Sequence, residues 1–228
     1  MLLPVMINYN AFIISHTSMP AEIPEQKEID DFLPKFKPKW KLDVKNPITF
    51  GNIILPAGYE KIRKDMHESS ENAKKLIPEI AKEWKEKFGR YHGDLIEKYR
   101  CDSAEHILLA MGAIGAESKV AIDNLRKNGL KVGLARVRTF RPFPKEEILK
   151  LGKQADLIVI DRNISVGSGG ALFNEVKATL YGKSDAKVYS FIAGIGGKDV
   201  TYNDIEIICK KSINGKAKEC EWYGLEGV

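Results

Sequence analysis

Three glycine-rich turns and one gathering of arginines are the features of this 228-residue chain that could do chemistry. The turns are Gly112-Ala113-Ile114-Gly115, Gly167-Ser168-Gly169-Gly170 and Gly194-Ile195-Gly196-Gly197. Each follows an apolar run and precedes a stretch of helical character. Glycine permits φ > 0 and lets other groups come close. A helix N-terminus offers unpaired N–H groups and a partial positive charge, which suit an anion. Gly167 to Gly170 is the best candidate for such a cradle, although glycines at strand-to-helix turns more often serve sterics than ligands. Arg136, Arg138 and Arg141 gather behind the second apolar run. They could grip a phosphate or carboxylate bidentately; ion pairing at a subunit contact is the favoured alternative.

Other chemistries lack their patterns. The first turn is G-x-x-G, short of the dinucleotide signature G-x-G-x-x-G, and no acidic residue ends the second strand. A nicotinamide-dependent dehydrogenase is thereby disfavoured. Neither a phosphate loop of the form G-x-x-x-x-G-K-[ST] nor a G-x-S-x-G elbow occurs. Cys101, Cys209 and Cys220 are far apart, whereas an iron–sulfur cluster takes four closely spaced thiolates as a rule. His16, His67, His92 and His106 show no metal-ligand spacing. The residues therefore assign no catalytic group and no metal ligand.

The elements that position the turns are regular. His106–Met111, Lys131–Val137, Leu157–Asp161 and Val188–Ala193 read as strands. Helices follow them: one around Ala116 to Leu125 closed by Asn128-Gly129, one from Phe143-Pro144 to Lys153, and one from Gly170 to Leu180. A last one carries Ile205, Ile208 and Cys209 behind a Thr201/Asp204 capping box. The strands are apolar throughout, which signals burial on both faces. Strand and helix alternate four times, so the fold class is α/β, a mostly parallel doubly wound sheet. Ligands of such sheets gather outside the carboxyl ends of the strands, where the glycine turns fall.

Upstream the pattern differs. Leu3 to Ile7 reads as a short buried strand, and Ala11 to Ile14 continues its apolar character. Pro20, Pro24, Pro34, Pro38, Pro47 and Pro56, with lysines between them, define an extended connector with one helix at Glu25–Phe32. Trp40, Ile48 and Phe50 could pin it to a neighbouring surface. Arg63 to Phe88 carries a helical apolar stripe that includes Met66, Ile77, Ile80 and Trp84, with a kink or restart expected at Pro78 and a stop at Gly89.

Composition sets the outer limits. Hydrophobic residues make up 43% and charged ones 29%, ordinary for a globular protein. The net charge of +5 is mild and its basic residues are interspersed with acidic ones, which argues against nucleic acid. The apolar start is broken by Pro4, Asn8 and Asn10, short of a membrane span, and lacks a basic leader. The expectation is a cytoplasmic protein without a membrane segment.

Three segments together resemble a known family. They are Arg138-Thr139-Phe140-Arg141-Pro142-Phe143-Pro144; Asp161-Arg162-Asn163-Ile164-Ser165 with Gly167-Ser168-Gly169-Gly170; and Phe191 to Thr201, with Gly196 and Gly197 within it. They resemble the α subunit of pyruvate:ferredoxin oxidoreductase and its 2-oxoacid relatives. Pro4-Val5-Met6 and Phe12 to Thr17 resemble the last strand of that subunit's thiamine-diphosphate-type domain. The resemblance implies an enzyme that decarboxylates a 2-oxoacid on thiamine diphosphate and Mg2+, sends electrons through iron–sulfur clusters to ferredoxin, and makes an acyl-CoA. It implies three parts: 1–18, the tail of the thiamine domain; 19–100, connector and long helix; 101–228, a transketolase-C-terminal-like domain. The last part would shape subunit contacts and supply no catalytic group. Partners would be the thiamine-binding and ferredoxin-like subunits, and ferredoxin through them. Asn10-Ala11 stands where relatives carry Asp-Gly, and the chain holds only the tail of the thiamine domain, so no catalytic residue is carried over. It holds no cofactor itself and is expected to be inactive alone, as a piece of a longer protein or one product of a split gene. The loop residues Arg138, Arg141, Asp161, Arg162, Asn163, Gly167, Ser168, Gly169, Gly170, Gly196 and Gly197 are expected at an anion site or a subunit interface. A free-standing anion-binding or regulatory module is the alternative.

Overall fold

The computed structural model describes residues 3–11 and 13–225, and the chain divides into two compact units, the first ending at Arg90 and the second starting at Tyr91. Phe12, which begins the Phe12 to Thr17 segment above, lies outside the described residues.

The first unit holds three helices: α1 (Ile13–His16), α2 (Gln26–Phe32) and α3 (Pro56–Phe88). α2 appears where expected, with the Glu25 N–H donating to the Glu28 side chain at 3.0 Å. Phe32 closes it edge-on against Trp84 and Phe88 of α3, at 5.4 and 5.7 Å between ring centroids. α3 starts seven residues before Arg63, because Pro56 occupies its first turn, where the missing N–H costs nothing. It runs through Pro78 as one helix, so the expected restart is absent. Only one N–H donor is lost there, and long stretches of intact ladder lie on either side. Gly89, at φ 68°, ends it. Leu3 to Ile7 form no strand; Val5, Met6 and Ile7 are exposed. A strand needs a ladder partner, and this unit has no other strand among its described residues. Of the residues expected to pin the connector, Trp40 and Phe50 are exposed and Ile48 is half-buried. No described residue of the unit is buried.

The second unit is a six-stranded sheet between two helical layers. Its elements are β1 (Ile96–Tyr99), β2 (His106–Ala110), α4 (Gly112–Lys127), β3 (Val132–Val137), α5 (Lys145–Gln154), β4 (Asp156–Asp161), α6 (Ala171–Leu180), β5 (Val188–Ile192), α7 (Tyr202–Ile213) and β6 (Cys220–Trp222). The strand order is β1-β3-β2-β4-β5-β6. β2 to β6 are mutually parallel, and β1 is an antiparallel edge beside β3. The expected α/β class and mostly parallel sheet are present, with two strands more than the sequence shows. β1, Ile-Glu-Lys-Tyr, and β6, Cys-Glu-Trp, are short edges interrupted by charged residues, so neither presents a continuous apolar run. Because β1 belongs to the sheet, the unit begins ahead of Cys101. Gly112 to Gly115, read as a turn, form the first turn of α4. Gly115 is required there, since a Cβ would lie 2.5 Å from Cγ of Arg136.

Side chains of each inner strand alternate between two cores. Ile107, Leu109, Leu157 and Val159 pack with Ile148 and Leu151 of α5 and Leu172, Val176 and Leu180 of α6. Leu108, Ile158, Ile160 and Phe191 pack with Ile122 and Leu125 of α4 and Ile205 and Ile208 of α7. Burial on both faces is what the unbroken apolar strands require.

Candidate functional site

The sheet reverses its winding between β2 and β4. The parallel strands run in the doubly wound order whose switch point lies there. The carboxyl ends of β2 to β5, and the loops leaving them, are therefore where a ligand would be sought. All the sequence-selected loop residues lie along this edge.

Asp161 ends β4 and is buried. Its carboxylate accepts from the Leu172 N–H at 2.9 Å and the Phe173 N–H at 3.0 Å, and the Asn163 side-chain oxygen accepts from the Ala171 N–H at 3.0 Å. The N-terminal donors of α6 are thus occupied by the chain's own side chains. Burial pushes the Asp161 carboxyl upward; the two N–H donations and the Asn163 side chain pull it back. Gly170 is needed because a Cβ would stand 2.1 Å from Asp161 Oδ2. Residues 165–169 fold into a tight hairpin, with the Ser165 N–H donating to the Gly169 carbonyl at 2.8 Å. The Ser168 and Gly169 N–H groups return to the Ser165 carbonyl at 2.8 and 3.0 Å. Gly167 and Gly169 sit at φ 83° and 117°, which the turn demands. This loop is built by internal hydrogen bonds that use the N–H groups of Ser165, Ser168 and Gly169.

Arg162 reaches the next loop and donates from Nε to the Gly194 carbonyl at 3.0 Å. The capping box at α7 is present: the Thr201 N–H donates to Asp204 Oδ2 at 2.8 Å. Burial disfavours ionised Asp204, but Thr201 and Tyr223 outweigh it and hold its carboxyl below the ordinary value. Gly196 and Gly197 take φ 72° and 89° and stand in open space.

The arginines do not converge. Arg141 stacks over Phe140, at 4.4 Å from the ring centroid, and pairs with Glu175 of α6 at 2.5 Å. Arg136 pairs with Glu97 of β1 at 3.3 Å, and Lys119 of α4 holds the same carboxylate at 2.5 Å. Burial opposes ionised Glu97, yet these two cations hold its carboxyl below the ordinary value. Arg138 and Arg141 are exposed, and Arg136 is half-buried. The cluster that could have gripped an anion is divided among contacts within the chain. Sequence reasoning missed Glu97, Tyr99 and Asp123, which tie β1 to α4; β1 itself gave no signal to place them.

Thiamine diphosphate binds through Mg2+, and an iron–sulfur cluster through thiolates. Among the described residues no group of three or more His, Cys, Asp or Glu could hold a metal ion. Cys101 and Cys209 are buried and Cys220 is exposed. The residues present do not fit either group, and no chemical step is derived through one. No helix among the described residues is long and apolar enough to cross a membrane.

The second unit is thus a doubly wound α/β module whose α6 N-terminal donors are taken by its own side chains, and the first is a helical unit with no buried residue among those described. Two family models match the chain: "Pyruvate flavodoxin/ferredoxin oxidoreductase, thiamine diP-bdg" over residues 1–82 and "Pyruvate:ferredoxin oxidoreductase core domain II" over residues 104–205. The chain belongs to the pyruvate and 2-oxoacid:ferredoxin oxidoreductase family. It is 41% identical over 226 residues to pyruvate synthase subunit PorA of Methanothermobacter thermautotrophicus, covering 99% of this chain and 58% of that protein. To ketoisovalerate oxidoreductase subunit VorA of Pyrococcus abyssi it is 40% identical over 231 residues, covering 98% and 58%. The chain therefore spans little more than half the length of these relatives. A solved 2-oxoglutarate:ferredoxin oxidoreductase from Magnetococcus marinus aligns with 70% of this chain and 24% of its own, at 16% identity and a TM-score of 0.44.

Proposed function

We propose that this chain is the C-terminal part of the α subunit of a cytoplasmic 2-oxoacid:ferredoxin oxidoreductase, acting within the complex and inactive by itself. The reaction is oxidative decarboxylation of a 2-oxoacid with coenzyme A, giving acyl-CoA, CO2 and reduced ferredoxin. Pyruvate is the 2-oxoacid proposed; the ketoisovalerate relative, at 40% identity, makes this a point for direct assay. Thiamine diphosphate, Mg2+, iron–sulfur clusters and coenzyme A belong to the other parts of the assembly. Residues 1–18 are the tail of the thiamine-type domain, 19–90 the connector and long helix, and the sheet unit from Tyr91 onward the transketolase-C-terminal-like domain. The loops carrying Arg138, Arg162, Val166, Gly196 and Gly197 serve subunit contacts.

One observation carries the structural role: no described residue before Tyr91 is buried, and twenty-one large apolar side chains there are exposed. So much exposed apolar surface marks a face that other polypeptides cover. The filled donors at α6 weigh against the free-standing anion-binding alternative. The test is to purify the native assembly through a tag on this chain. Subunits carrying thiamine diphosphate and clusters should co-elute, with CoA-dependent reduction of a viologen dye by pyruvate. A chain that elutes alone, or an assembly silent toward every 2-oxoacid, would refute the proposal.

A further inference from the structure

Asparagine is followed by glycine at Asn128-Gly129 and at Asn214-Gly215. The first pair closes α4 and the second closes α7, two helices that pack on the same core. Their backbones match. Asn128 sits at φ −89° and ψ 15°, Asn214 at φ −79° and ψ 5°, and the glycines follow at φ 80° and 66°. Gly129 donates to the Arg126 carbonyl and Gly215 to the Ser212 carbonyl, both at 3.0 Å. The next N–H groups reach further back, Leu130 to Leu125 at 3.1 Å and Lys216 to Lys211 at 3.0 Å. Glycine suits the left-handed position after a helix. All four residues of the two pairs are exposed.

Their surroundings differ. The Asn128 side chain donates to the Asn124 carbonyl at 3.0 Å. Among the described residues the Asn214 side chain has no hydrogen-bond partner. After Gly129 the chain enters β3 at Val132, and Arg126 ties that turn down by donating from Nε to the Val132 carbonyl at 2.7 Å. After Gly215 come Lys216 to Glu219, which lead only to the short edge strand β6.

This pair of residues has a chemistry of its own. With no side chain on the glycine to hinder approach, its backbone nitrogen attacks Cγ of the asparagine. The new C–N bond closes a cyclic imide, the Cγ–Nδ2 bond breaks, and ammonia leaves with the glycine's amide proton. Water then opens the imide at either carbonyl and leaves aspartate or isoaspartate. Nothing is oxidised or reduced. Ring closure requires the asparagine Cβ and the glycine nitrogen to eclipse about the Cα–C bond, so ψ must leave the helical value and the last turn must open. Segments held by few contacts open most often.

We propose that Asn214 is a self-modification site, deamidating through the cyclic imide whenever the end of α7 opens, and that Asn128 is protected by its side-chain bond and by the Arg126 tie. Aspartate at this position sets a negative charge at the negative end of the helix. Isoaspartate adds a carbon to the main chain, so the Gly215 and Lys216 hydrogen bonds cannot both be kept. The full chain is incubated at pH 8 in buffer and, in parallel, in urea. Both sites are followed by peptide mass spectrometry and by methylation with an isoaspartyl methyltransferase. A single hydrogen bond is a factor of about two to ten in an opening equilibrium, so Asn214 should convert at least about fivefold faster than Asn128 in the folded chain. In urea the structural difference is gone, and the two rates should agree within about twofold. Asn214→Gln should remove most of the isoaspartate formed by the folded chain. Equal rates in the folded chain, faster conversion of Asn128, or conversion of neither site outside urea would overturn the proposal. The same fivefold ratio persisting in urea would assign the difference to the neighbouring residue types and overturn it as well.

Discussion

Alanine at position 170 should be costly only while Asp161 is present. The backbone at Gly170, φ −67° and ψ 138°, suits any L-residue, and glycine-to-alanine at such a site stabilises by about 0.4–1 kcal/mol through the unfolded chain. The added Cβ, however, would lie 2.1 Å from Asp161 Oδ2. The carboxylate must leave, and the buried N–H groups of Leu172 and Phe173 lose their acceptor. An orphaned buried donor costs about 1–3 kcal/mol, so Gly170→Ala should lose about 2–5 kcal/mol. Asp161→Ala removes the same acceptor and should cost a similar amount. In the double variant the cap is already gone and the Cβ has room, so Gly170→Ala adds nothing and can recover a few tenths. The double-mutant cycle, read by urea unfolding under circular dichroism, should give a coupling of about 2–4 kcal/mol. Strictly additive costs would refute the reading of Gly170 as the place made for Asp161.

Three further outcomes follow from the same coordinates. Phe191→Ala, in the middle of the sheet and fully buried, should lose about 3–5 kcal/mol in urea unfolding. Burial pushes the Cys209 thiol up to about 12 and raises Cys101 as well; a thiol reagent at pH 8 should label exposed Cys220 alone until the chain is unfolded. Glu97 is held below its ordinary value of 4.5, so its contribution is present at neutral pH and is lost as pH falls through its folded value. Glu97→Gln should therefore lower stability at pH 7 and converge with the parent in acid, as followed by thermal melts across pH.

Much of the second unit was legible because its signals are local. Unbroken apolar runs at Ile107–Ala110 and Leu157–Ile160 need cover on both faces, and only a layered sheet supplies it. The Thr201/Asp204 capping box lies within four residues and folded as read. What stayed hidden depends on distant partners. β1 is recognisable only once β3 lies beside it. Arg136 and Arg141 look like an anion grip in sequence, but Glu97 and Glu175 stand 39 and 34 residues away. Gly170 read as part of an anion cradle and turned out to be space for a carboxylate nine residues upstream. Leu3 to Ile7 show the converse: strand-like residues with no neighbour to pair with in the described chain.

The central claim is that this chain shapes an enzyme whose reactive groups lie on other polypeptides or segments. Its most direct test is viologen reduction by pyruvate with coenzyme A and thiamine diphosphate, measured on the purified chain and on the assembly isolated through it. The account requires turnover in the assembly and none in the chain; turnover by the chain alone would contradict it.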